Sequence, residues 1–212
     1  SMLAQITMWE MIEYPSENSN QKINNLKNFS KHSEELDPKN PNAPAMLCCY
    51  HIFQGNFEQA KIYCDRSINL NPSYPDAHMY YGHALVHSGE YEKSKDHFYK
   101  AKELNPLDPK SIEYLAGIII ADIGLGLFED ALKINEQCME QFPDTVFYLG
   151  LKASILGHLN RASESNKCLK QYLNLRPNLK TRSDYKKMFI PNSVLVDIII
   201  DGLVKAGWKP ED

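Results

Sequence analysis

Large, small and polar side chains return to the same places every 34 residues along this chain. Residues 75–108 give the cleanest copy. Numbering that unit from 1, Tyr81 and Gly82 stand at 7 and 8, Leu85 at 11, Gly89 at 15, Tyr91 at 17, Ser94 at 20, Phe98 at 24, Ala101 at 27 and Pro106 at 32. The pattern predicts two helices per unit, A then B. Small residues let the helices approach and large ones fill the space between them. Gly89-Glu90 makes the turn, because glycine tolerates backbone angles that a side chain forbids. Pro106 cannot continue helix B and ends the unit.

Residues 41–74 repeat this with Leu47, Cys48, Gly55, Phe57, Ala60, Ser67 and Pro72. Residues 109–145 carry Leu115, Ala116, Ala131, Cys138 and Pro143, with three extra residues near Gly124-Leu125-Gly126. A longer helix A or a looser turn is expected there. Residues 146–179 carry Ala153, Leu156, Ser165, Tyr172 and Pro177. Residues 7–40 keep only the second half of the pattern, Leu26 to Pro38, behind a polar loop at 15–20. Terminal units of stacked arrays are expected to be atypical, since one face meets water. The expectation is an all-α solenoid over residues 1–179, with a tail at 180–212.

The tail breaks the period. Ser183 to Phe189 reads as a short helix and Pro191-Asn192-Ser193 as a break, with Ser193 placed as an N-cap. Val194 to Lys205 reads as a second helix ending at Gly207. Asp197, Asp201 and Lys205 make one polar stripe, and most of the remaining circumference is apolar, so this helix must be buried. The expected role is to cap the hydrophobic end of the array. The alternative is a face that docks another domain or a second copy.

Composition narrows the function classes. Lys and Arg number 23 against 27 Asp and Glu, a net charge of −4, which argues against a nucleic-acid surface. No apolar run approaches the roughly 20 residues that span a bilayer. Glu10 and Glu13 near the start, with no basic leader, do not read as a signal peptide. Five cysteines without framework spacing fit a reducing cytoplasm, with Cys48 and Cys138 as packing thiols.

The positions quoted above resemble the tetratricopeptide repeat, with Ser94 where alanine is usual at 20 and Leu85 where an aromatic is usual at 11. The resemblance implies a right-handed superhelix whose A helices line a concave groove. It places Cys49, Phe53, Met79, Tyr80, His83, His87, Glu113, Tyr114, Phe147 and Leu151 in that groove, among further A-helix positions that include Lys110, Ser154, Gly157 and His158. The groove is apolar and aromatic, suited to an extended or helical peptide. Tyr80→Ala or Tyr114→Ala is expected to weaken binding without unfolding the array. The alternative is a groove filled by the chain's own N-terminal segment around Ile6, Trp9 and Ile12, or by a neighbouring domain. The carboxylate clamp by which such arrays grip heat-shock chaperones needs Lys, Asn and Arg at set positions. Ala45, Cys49, Tyr80, Lys110 and Tyr114 stand in one register and Met79, His83, Tyr114, Phe147 and Gly150 in the other, so that partner is rejected.

The tail carries a second resemblance. Arg176-Pro177-Asn178-Leu179, Phe189 and Asp201-Gly202-Leu203-Val204-Lys205-Ala206-Gly207 are similar to the ends of tetratricopeptide modules in bacterial regulators. Those modules follow an adenylate cyclase or a winged-helix domain, and no such domain is visible here. His83 and His87 have an i, i+4 metal-ligand spacing but lack further ligands, so no metal or cofactor is expected. No catalytic signature is present. The reading is a cytoplasmic bacterial adaptor that binds a protein or peptide, not an enzyme, nucleic-acid binder or membrane protein. A homodimer through Val194–Val204 or the array end is one further arrangement. The alternative function is the regulatory half of a larger transcriptional regulator or cyclase.

Overall fold

The computed structural model describes residues 19–106 and 111–211. Helix follows helix through them, with no strand among the described residues: α1 (Ser19–Leu36), α2 (Asn42–Phe53), α3 (Phe57–Leu70), α4 (Pro75–Ser88), α5 (Tyr91–Leu104), α6 (Ser111–Gly124), α7 (Phe128–Gln141), α8 (Val146–His158), α9 (Ala162–Leu175), α10 (Arg182–Lys187) and α11 (Val196–Lys205). Ser19 and Asn20, expected in a polar loop, already belong to α1. The expected N-terminal helix around Ile6, Trp9 and Ile12 lies outside the described residues, as does Lys110.

Each A–B turn is built the same way. One residue takes the left-handed backbone: Gly55 (φ +67°), Gly89 (φ +93°), Gly126 (φ +74°) and, in the fourth unit, Asn160 (φ +57°). Asparagine is among the few non-glycine residues that adopt this conformation readily. The next residue's N–H then reaches back five positions: Asn56 to His51 at 2.9 Å, Glu90 to Leu85 at 2.9 Å, Leu127 to Asp122 at 2.8 Å and Arg161 to Leu156 at 3.0 Å. This closure satisfies carbonyls that the helix end would leave open. In the third unit the left-handed glycine falls three residues late; its helix A, Ser111–Gly124, has 14 residues, as many as Pro75–Ser88, and the turn is intact.

Close approach explains the small residues. A Cβ on Gly82 would stand 2.7 Å from the Phe98 ring, and one on Gly117, in the next A helix, would overlap the same ring. Phe98 is therefore wedged between two A helices at positions only glycine allows. Ser94 and Ser165, where alanine is usual, are buried but turn their hydroxyls onto Tyr91 O at 2.6 Å and Ala162 O at 3.2 Å. Self-satisfied in this way, a serine costs little at a site that wants only small volume.

In the unit 41–74 the pair at positions 8 and 24, glycine and phenylalanine in the next unit, is Cys48 and Cys64. They form a disulfide with Cα atoms 5.5 Å apart. The expectation that Cys48 is a packing thiol is thus corrected. The helix crossing that brings Gly82 onto Phe98 brings these two cysteines within bridging distance. Cys138 is a buried free thiol and Cys168 a half-buried one.

The A helices α2, α4 and α6 pack side by side, each also against its B helix. Salt bridges tie successive units: Lys61–Glu90 at 2.8 Å, Lys95–Asp122 at 2.6 Å with Asp122 buried, and Lys152–Glu136 at 2.8 Å. In the tail, Thr181 caps α10 reciprocally with Asp184, two hydrogen bonds of 3.0 Å. α11 starts at Val196, two residues later than expected, and Ser193 is not its N-cap. Gly207 (φ +107°) ends it, with Trp208 N–H bonded to Leu203 O at 2.9 Å.

Candidate functional site

The A-helix face carries the residues singled out from the sequence. Cys49, Phe53, Met79, Tyr80, His83, His87, Glu113, Tyr114 and Leu151 are all buried, and Phe147 is half-buried. Cys49, Phe53, Met79, Tyr80 and Tyr114 share one apolar cluster, and Ile190 of the tail belongs to it. Leu151 and Phe147 belong to a second cluster with Ile199, Ile200, Leu203 and Trp208. With Tyr80 and Tyr114 inside, alanine at either position opens a cavity. Binding loss without unfolding is therefore no longer the expectation, since such truncations cost about 3–5 kcal/mol.

The tail runs over this face in two directions. After α10 the chain crosses to the turns of the first two complete units. Asn192 Nδ2 donates to Gly55 O at 3.4 Å, His87 Nδ1 and Ser193 Oγ are hydrogen-bonded at 2.9 Å, and Val194 N–H donates to His87 O at 3.3 Å. It then returns as α11, which packs on α8 and touches α6. Ser154 Oγ donates to Ile199 O at 2.9 Å and His158 Nε2–H to Ile198 O at 2.9 Å. That bond fixes the His158 tautomer, leaving Nδ1 to accept from Lys205 Nζ at 3.4 Å. Gly157 and Gly202 face each other so closely that a Cβ on either would overlap the opposite helix.

Two buried carboxylates, Asp76 and Glu113, and two buried histidines set the electrostatics of the face. Burial pulls the His83 imidazole down to about 3, with His87 beside it as the second cause. Burial alone takes His87 down to about 4. Both rings are neutral at pH 7. Neither His83 nitrogen has a hydrogen-bond partner among the described residues, and the ring stands edge-on to Phe98 at 5.0 Å. Burial raises the Cys49 thiol, helped by Glu113 and Asp76, and holds Tyr80 well above the ordinary phenol range. A thiol held protonated is a poor nucleophile. Among the described residues no group of three His, Cys, Asp or Glu is arranged to hold a metal ion.

The repeat geometry is matched by sequence as well. The tetratricopeptide repeat profile matches at residues 46–74 and again at 75–106. These two segments are tetratricopeptide repeats. A comparison with curated proteins finds no match. Among solved structures, the tetratricopeptide protein TTC0263 of Thermus thermophilus is similar, with a TM-score of 0.62 and 15% identity, over 95% of this chain and 99% of that one. PilF of Pseudomonas aeruginosa gives 0.60 at 13% identity, over 97% and 87%. YrrB, described as a tetratricopeptide protein with an unusual peptide-binding site, gives 0.57 at 13% identity, over 84% and 92%. At such identities the likeness is one of fold. It places this chain's helical array in the tetratricopeptide architecture well beyond the two matched repeats.

Sequence reasoning put Ser154, Gly157 and His158 on the A-helix face of the last repeat, where they now hold α11. It did not find Ile190, Asn192 and Ser193 as their counterparts across the first two complete repeats. A break beside a greasy helix signals burial but names no surface for it.

Proposed function

We propose that this chain is a protein–protein interaction scaffold that takes a peptide or protein segment on its A-helix face. The tetratricopeptide fold is that of non-enzymatic interaction scaffolds in general, and the stacked A helices supply a rigid surface, so ordering costs fall on the ligand. The observation that carries the reading is chemical: the face is apolar and aromatic, with neutral histidines, and its occupant in the structure is itself a peptide strip. The tail, residues 180–212, belongs to this reading as the segment that closes the array at 1–179. The reading includes no cofactor and no catalysis. No described helix is long and apolar enough to cross a membrane. Of the expected bacterial and cytoplasmic setting, the Cys48–Cys64 bridge weighs against a reducing compartment.

The test is a pull-down with the intact chain beside a Ser154→Ala/His158→Ala variant of unchanged helicity. A partner retained in different amount by the two supports binding at this face. Equal retention of the same proteins removes it.

A second reading is a regulatory module of a larger transcriptional regulator or cyclase. It is favoured by the tail's long-range hold on the array at His87 and Gly55. Joining the chain to a reporter domain at either end, and finding that tail variants change the reporter's output, would support it.

A further inference from the structure

The segment Ile190–Val194 is unlike the rest of the tail. α10 and α11 bury side chains against the last repeats, as a closing element would. The strip between them leaves that end and reaches back to the first two complete repeats, contacts separated by 137 residues at Gly55 and 106 at His87. It carries no regular helix. It engages by one buried apolar side chain, Ile190, by one hydroxyl, Ser193, and by backbone or amide bonds at Asn192 and Val194. Val194, next along, is half exposed and stands over Gly89. The strip is a β-turn, closed by Ser193 N–H to Ile190 O at 3.3 Å with Asn192 left-handed (φ +61°), and it buries a branched residue while its polar groups go to a turn carbonyl and a helix-end histidine, the contacts a bound peptide turn would make.

We propose that Ile190–Val194 is an internal ligand, and that a partner engages the same edge with a β-turn presenting a branched apolar residue and, three positions on, a hydroxyl. The inference rests on the scaffold reading and adds to it the partner's chemistry and a resting state in which that edge is filled. A segment tethered in the same chain acts at an effective concentration on the order of millimolar. A free segment of equal intrinsic affinity therefore competes poorly until the internal strip is weakened or released. The two helices that flank the strip hold to the last repeats by separate contacts, so the strip can lift while α11 stays docked on Ser154, Gly157 and His158.

The experiment uses a labelled synthetic peptide of residues 187–196 as probe. It is titrated into the full chain and into an Ile190→Ser/Asn192→Gly/Ser193→Gly variant. Expected is binding to the variant at least tenfold tighter than to the unmodified chain, abolished when the peptide itself carries Ile190→Asp. Comparable or absent binding in a variant of unchanged helicity overturns the proposal. If that variant loses helicity, an Asn192→Ala/Ser193→Ala chain, which keeps Ile190, replaces it. About threefold tighter peptide binding is then expected, and no change overturns the proposal. The mass of the unmodified chain in solution is expected to be monomeric. A dimer that dissociates in the variant would show the strip supplied by a second copy, and the internal arrangement would fail. Because the probe is the chain's own peptide, failure here leaves the search for an outside partner untouched, and failure of that search leaves this result standing.

Discussion

Phe98 shows how much one side chain decides. Its ring occupies the notch left by Gly82 in its own repeat and Gly117 in the next, and it is fully buried. Gly117→Ala puts a methyl into that ring with no room to yield. Overpacking of this kind costs about 1–3 kcal/mol, so a lower midpoint of thermal unfolding is expected, with unchanged helix content at 20 °C. His83 and His87 set a second expectation at this scale. Their folded values, about 3 and about 4, lie below the ordinary histidine value of 6.5. The unfolded chain therefore binds protons that the folded chain does not, and stability rises with pH across that window. It is fully present above about pH 6.5 and is lost as pH falls toward 4, by up to about 1.4 kcal/mol per pH unit for each ring. Urea unfolding at pH 7.5, 6 and 5 should show the decline, and His83→Leu should flatten it. Much at this scale was legible: the recurring glycines, prolines and small residues each had one mechanical use. Cys48 was not, because position 8 asks only for small volume. The bridge depends on a second cysteine sixteen residues on, where the pattern leads one to expect an aromatic.

At the scale of elements, the period alone located both helices of each complete repeat, since every A–B turn is closed by local hydrogen bonds between residues close in sequence. The tail followed other rules. α11 is seated by Gly157 against Gly202, and its polar stripe, Asp197, Asp201 and Lys205, faces water. Its apolar pattern required burial but was equally consistent with any apolar surface, because docking is a contact between distant parts of the chain. Gly157→Val should undock α11 while leaving the repeats folded. In a Trp9→Phe background the buried Trp208 should then shift its emission to longer wavelength. Unchanged emission would mean that the glycine contact is not what seats the helix. The sequence places Ser193 as a helix cap; its hydroxyl accepts from Leu195 N–H at 3.4 Å, ahead of the helix, and is also hydrogen-bonded to His87 Nδ1 at 2.9 Å. One hydroxyl serves a local and a long-range contact, and sequence shows only the first.

For the whole molecule, stability in a stacked array is approximately a sum of repeat terms and nearest-neighbour terms. Two features here depart from that. The Cys48–Cys64 bridge fixes the helix pair of one repeat, and a loop of this size contributes about 3 kcal/mol when closed. Cys64→Ala should lower the unfolding midpoint by roughly 6–12 °C for a chain of this length. Both sulfurs are inaccessible, so reductant should act only as fast as the chain opens. The returning strip is the other feature, since it links a later-made segment to the first complete repeats. During synthesis the seat for Ile190 exists long before Ile190 does. With 106 residues between His87 and Ser193, and elongation at about 5–20 residues per second, that edge stays uncovered for roughly 5–21 s. On the internal-ligand proposal, a nascent chain passes through an interval in which the edge is complete and vacant, and an outside segment then meets no internal rival.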